Sequence, residues 1–137
     1  MAANKTRERL TGIELKMPSA AVINPGDVLL LGATGAQLVG IANDGQNLTT
    51  KPPYYSNTGY LSLDVEGSFN LSVTAATAIA PGSAIYAHGG TADATTGITY
   101  GSTLNNTATG GTLVGVAETS LASGTGIVRV SLKGAIS

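Results

Sequence analysis

Three stretches of this chain alternate apolar and polar residues with a period of two, and that period restricts the fold most. Tyr60-Leu-Ser-Leu-Asp-Val-Glu66 puts Leu61, Leu63 and Val65 on one face, and Phe69, Leu71 and Val73 carry the same period on after Gly67. Ile127-Val-Arg-Val-Ser-Leu132 alternates again, burying Val128, Val130 and Leu132 or their neighbours. Successive side chains of a strand point to opposite faces, so these runs read as half-buried strands. A fourth run, Val28-Leu-Leu-Leu31, is apolar throughout and is bounded by Pro25-Gly26 and Gly32. Short strands broken by Gly, Pro, Asn and Ser predict an all-β sandwich or barrel. Helix finds little support: Ala75-Ala-Thr-Ala-Ile-Ala80 is cut off by Pro81-Gly82 and reads as a connection.

The chain also echoes itself. Ile23-Asn-Pro-Gly-Asp-Val-Leu-Leu30 resembles Ile79-Ala-Pro-Gly-Ser-Ala-Ile-Tyr86, and Gln37-Leu-Val-Gly-Ile-Ala42 resembles Thr112-Leu-Val-Gly-Val-Ala117. In each copy a Pro-Gly turn, with Gly26 or Gly82 in the left-handed position, feeds a short apolar strand. Gly40 and Gly115 fall mid-strand, where glycine predicts a bulge or a sharp bend. A small barrel built around two related β-turn-β units fits this pattern better than a solenoid, which needs more copies. Asp44-Gly45 is expected to be a tight hairpin turn.

Composition narrows the function. Charged residues make up only 11% of the chain, against an average of roughly 25%. A surface so poor in charge suits packing against other protein better than life as a dispersed monomer. The absence of cysteine excludes disulfide scaffolds, thiolate metal sites and cysteine nucleophiles. No apolar run approaches the ~18 residues of a membrane helix. The polar start Met1-Ala-Ala-Asn-Lys-Thr-Arg-Glu-Arg9 lacks a signal-peptide core, so synthesis in the cytoplasm is expected.

Charge is unevenly placed. Lys5, Arg7, Arg9 and Lys16 lie in the first 16 residues, and no Lys or Arg occurs from Pro52 to Val128. Residues 1–16 therefore read as an extended basic arm and 17–137 as the folded body. On a partner surface, Lys5, Arg7 and Arg9 would steer the arm and Leu10 would anchor it. With no basic residues along the centre of the body, nucleic acid is not an expected partner.

The catalytic inventory is nearly empty. His88 is the single histidine, placed in what reads as an exposed Gly-rich loop, and no Gly-x-Ser-x-Gly elbow accompanies it. Asp64 and Glu66 project from one strand face, where a small hydrolase or a hard-cation site would use them, but the aromatic platforms and Arg or Lys of a glycosidase are missing. Gly32-Ala-Thr-Gly35 and Gly124-Thr-Gly126 lack the helix and Gly-Lys-Ser/Thr of a phosphate loop and read as hairpin turns. No catalytic residue, cofactor or metal ligand is predicted.

Lys51-Pro-Pro-Tyr-Tyr-Ser-Asn-Thr-Gly-Tyr60 stands out, with three of the five tyrosines in seven positions. Proline stiffens the segment and tyrosine supplies rigid amphipathic area, so Tyr54, Tyr55 and Tyr60 are candidate interface residues. The competing reading folds the loop back as a cap over an open barrel end.

Taken in order, the Pro25-Gly26-Asp27 turn, the Leu-Val-Gly-x-Ala strands, the Ala/Thr/Gly-rich body and the closing Gly126-Ile-Val-Arg-Val-Ser-Leu-Lys133 strand resemble bacteriophage head decoration proteins, also called capsid cement or head fibre proteins. The resemblance spans roughly residues 20–133. It implies a small β-barrel-like body on the outer surface of an icosahedral capsid, without catalysis or cofactor. The implied partners are the major capsid protein and further copies of the chain, as a homotrimer or as lattice neighbours, with neither nucleic acid nor membrane. A different class of reading remains: a carbohydrate-binding or adhesin-like β module of a head fibre or tail, stacking sugars on Tyr54, Tyr55 and Tyr60.

Overall fold

The computed structural model describes residues 12–32, 38–53, 55–56 and 58–133. Among the described residues there is no helix, and the strands are β1 Gly12–Lys16, β2 Val28–Leu31, β3 Leu38–Ala42, β4 Tyr60–Asp64, β5 Ser68–Ala75, β6 Ala84–His88, β7 Thr91–Asp93, β8 Ile98–Tyr100, β9 Thr103–Asn105, β10 Thr112–Ala117 and β11 Gly124–Leu132. They form two antiparallel sheets, ordered β1-β4-β3-β2-β8-β7 and β5-β11-β10-β6-β9. Neither sheet closes, so the all-β body is sandwich-like and the barrel is not formed. Of the span 1–16 expected to be an arm, Gly12–Lys16 is strand β1, paired along its whole length with β4.

The sequence echo is the visible part of a larger repeat. Strands β1, β4, β3 and β2 of the first sheet correspond to β5, β11, β10 and β6 of the second, in the same order. The registers correspond too: Ile13 faces Leu63 as Phe69 faces Val130, and Val28 faces Ile41 as Ala84 faces Val116. Strands β7, β8 and β9 are inserted between β6 and β10, and β8 and β9 then flank β2 and β6 in matching register.

The two Pro-Gly turns are built alike. Gly26 and Gly82 have φ of 90° and 95°, the left-handed region that glycine enters without steric cost. Gly26 N–H donates to the Ala42 carbonyl as Gly82 N–H does to that of Ala117, both at 2.8 Å. Asp27 accepts from Asn24 N–H at 2.9 Å, and in the second copy the Ser83 hydroxyl takes the Ala80 N–H at 3.2 Å. A hydroxyl thus does the carboxylate's structural work, which is why the copies tolerate different residues there.

The repeats pack asymmetrically. The inward side chains of the second sheet, among them Leu71, Val73, Ile85, Val114, Val128 and Val130, enclose one core. Into it the first repeat inserts Val28, Leu30, Val39 and Ile41 from one face of β2 and β3. The other face of that strand pair, with Leu29, Leu31 and Ala42, packs in a second core with Met17, Ala21, Ile23, Leu61, Leu63 and Ile98. Strand β2 is therefore buried on both faces, which accounts for its unbroken apolar run.

The two mid-strand glycines serve different ends. At Gly115 the pairing of β10 with β6 slips between Leu113 and Gly115, a bulge as expected, and a Cβ there would lie 2.0 Å from the Ser131 carbonyl oxygen. At Gly40 the register runs on unshifted, and the missing Cβ makes room for Leu63 at 3.3 Å. Asp44-Gly45 is not a tight hairpin turn: Gly45 has no positive φ and instead lies so close to the Tyr55 ring that a Cβ would not fit. Gly124-Thr-Gly126 is likewise no turn but the start of β11, while residues 33–35 of the other glycine cluster lie outside the described residues.

Candidate docking surface

Of the residues predicted to contact a partner, Lys5, Arg7, Arg9, Leu10 and Tyr54 lie outside the described residues. Tyr55 turns toward the body. A Cβ on Gly45 would meet its ring at 2.3 Å, and its hydroxyl donates to Asn24 Oδ1 at 2.8 Å. Ser56 continues the attachment, its N–H donating to the Gly45 carbonyl at 2.8 Å. Tyr60 behaves differently. It is 49% exposed on β4, opposite Lys16 of β1, whose Nζ sits 5.1 Å from the ring centroid. That spacing is a cation–π contact, leaving the rest of the ring to solvent. Tyr55 thus ties the loop down, and Tyr60 presents area outward.

A residue that pattern reading passed over holds the same region in place. Gln46 is fully buried, and its Nε2 donates to the carbonyls of Pro18 and Ala21 at 2.9 and 3.1 Å, while Oε1 has no partner among the described residues. The corresponding position in the second repeat is Leu121, and Ile79 bridges to it as Ile23 bridges to Gln46. Extending the echo four residues beyond Ala42 and Ala117 would have exposed the mismatch. In the second repeat a different amide does the work: Asn106 Nδ2 donates to the Thr77 carbonyl, the counterpart of Ala21, at 3.1 Å.

The polar groups considered for chemistry are engaged locally. Asp64 Oδ1 accepts from Asn43 Nδ2 at 3.3 Å, and Glu66 is exposed just past the end of β4. His88 is not in a loop: it ends strand β6, half-buried, with Nε2 at 2.7 Å from the Thr107 carbonyl oxygen. Glu118 receives the Ser68 hydroxyl and pairs with Arg129 at 2.8 Å, and these hydrogen bonds, Ser68 foremost, lower its pKa. Asp93 is lowered by the hydroxyl and N–H of Thr96. Among the described residues no three metal-ligating side chains converge. A cleft of about 290 Å³ separates Lys16–Ser19 from Asp93, Thr95 and Thr96, open to solvent and mixed in charge.

What the described surface offers most plainly is bland strand. The outward side of the five-stranded sheet carries Ser72, Thr74, Thr125, Ser131, Asn105 and Thr103 at its flanks. At its centre Val116 and Leu113 are 43% and 39% exposed, beside half-buried Ala84 and Tyr86. Such a face presents neither a catalytic constellation nor a charged groove. It suits contact with another protein surface.

Comparison with known proteins agrees with that character. No curated protein matches the chain. A family model described as phage cement protein matches residues 8–132, which takes in both repeats and every strand above. The chain belongs to the phage cement protein family, a family of phage structural proteins with a role in the capsid.

Proposed function

We propose that this chain binds the outside of a phage capsid and reinforces the lattice of the major capsid protein, with no catalytic step. The family match over residues 8–132 carries the reading. The charge-poor surface supports it, since a protein that works by contact benefits from a face that is cheap to desolvate. Reinforcement follows from linkage: whatever binds only the assembled shell shifts the equilibrium toward it. Each site can be weak when many copies act on one lattice, as a homotrimer or as touching neighbours. The basic segment with Lys5, Arg7, Arg9 and Leu10 would dock on the shell, and Tyr60 would add contact area.

Pelleting purified protein with undecorated heads tests this directly, and the protein is expected in the pellet. Protein left wholly in the supernatant would refute it. Deleting residues 1–11, which stops short of β1, should leave the body folded and weaken head binding. Equal occupancy after that deletion would remove the arm from the account.

A further inference from the structure

The repeat shows which face of the second sheet is built for contact. In the first repeat, Val28 and Leu30 of β2 stand opposite Ile41 and Val39 of β3. All four are buried against the second repeat. Their counterparts are Ala84 and Tyr86 of β6, opposite Val116 and Leu113 of β10. The echo itself aligns Val39 with Val114, but the bulge at Gly115 turns Val114 into the core and puts Leu113 in the outward place opposite Tyr86. These four residues thus stand where the first repeat has a ladder covered by an aliphatic sheet, yet here Leu113 and Val116 are exposed and Ala84 and Tyr86 only half-buried among the described residues.

We infer that the ladder Ala84, Tyr86, Leu113 and Val116 is the surface by which the folded body sits on the capsid shell, against an uncharged aliphatic patch of the shell protein. This rests on the function proposed above and assigns the face. Charge near the ladder is light: Arg129 is paired with Glu118 and the His88 ring lies on the Thr107 carbonyl, and a cover has to leave only the Lys133 ammonium, just past β11, in water. Size argues against a second copy as the occupant. A stable free-standing dimer uses roughly 20–30 residues a side, whereas four side chains give a weak contact that holds only when multiplied over a lattice. The counterpart ladder in the first repeat shows the chemistry of a good cover: branched aliphatic side chains on strand, with no charge.

The test is head pelleting with the double variant Leu113→Lys/Val116→Lys, alongside Ser72→Lys on the same sheet but outside the ladder. The double variant should bind heads at least tenfold more weakly while Ser72→Lys binds like wild type. Circular dichroism and sedimentation of each free protein establish that fold and solution size are kept. Should the lysines unfold the sheet, Leu113→Thr/Val116→Thr keeps strand propensity and is expected to weaken binding severalfold. If wild type and folded variant pellet equally, the assignment of this face fails and capsid binding stands. If wild type itself stays in solution, the functional reading fails and takes this one with it. A variant that changes the solution size of the free protein would show the ladder joining copies of the chain, which also overturns it.

Discussion

Replacing Gln46 by leucine asks whether this buried amide holds the body together or merely fills space. The second repeat places Leu121 at the matching position, so the side chain itself is compatible with the fold. What differs is the backbone around it. Gln46 Nε2 serves the Pro18 and Ala21 carbonyls, both in buried residues, and its own Oε1 has no partner among the described residues. Leaving a buried acceptor without its donor costs about 1–3 kcal/mol. The Pro18 carbonyl keeps the Ala21 N–H at 3.1 Å, so Gln46→Leu orphans only the Ala21 carbonyl, removes one orphan and loses the second bond to Pro18, a net loss of about 1 kcal/mol. For a chain of this length that is roughly 3–4 °C in Tm. Gln46→Glu should be worse, because it sets a carboxylate against two carbonyls in a buried site. Thermal unfolding followed by circular dichroism at neutral pH measures both. The order wild type, leucine, glutamate in falling Tm is expected. A Gln46→Leu variant as stable as wild type would mean the Ala21 carbonyl needs no donor, and the account of Gln46 would be wrong.

Three further outcomes follow from the same geometry. Gly115→Ala places a Cβ against the Ser131 carbonyl and should cost more than about 3 kcal/mol or prevent folding, whereas Gly40→Ala meets Cβ and Cδ1 of Leu63 at 3.3 Å, a tight contact rather than a clash, and should cost about 1 kcal/mol; denaturant midpoints compare them. Tyr55→Phe removes the bond to Asn24 but keeps the ring on Gly45, so a loss of about 1 kcal/mol is expected, and a larger drop would show that the hydroxyl does more. Glu118 has a folded pKa below its ordinary value of 4.5, so its stabilisation is present above that pH and is lost as pH falls through the lowered value. Glu118→Gln should therefore flatten the acid side of the stability profile, and an unchanged slope would discount the Ser68–Glu118–Arg129 cluster.

Strand identity was legible locally because burial on one face leaves a period of two. Leu61, Leu63 and Val65 sit inward as the alternation requires, as do Leu71, Val73, Val128 and Val130. The Pro-Gly turns were legible for a similar reason, since a left-handed φ selects glycine within a few residues of sequence. Gly45 misled because Asp-Gly is also a turn signal, and only the ring of Tyr55, ten residues on, reveals why a side chain is forbidden there. His88 misled because flanking glycines resemble a loop even when the strand ends just before them. Of the residues expected to face a partner, the sequence marked the tyrosines but not the ladder. Leu113 and Val116 read as ordinary strand residues until the bulge sets their direction.

By itself the sequence determined an all-β chain with two related turn-strand units and little surface charge, because backbone geometry and side-chain periodicity act over neighbouring residues. Tertiary structure alone decided that the repeat runs through four strands, that the first repeat inserts its ladder into the second, and that the matching ladder is left partly exposed among the described residues. Those facts depend on pairings between residues far apart in the chain. In them one residue of slip exchanges the buried face for the exposed one.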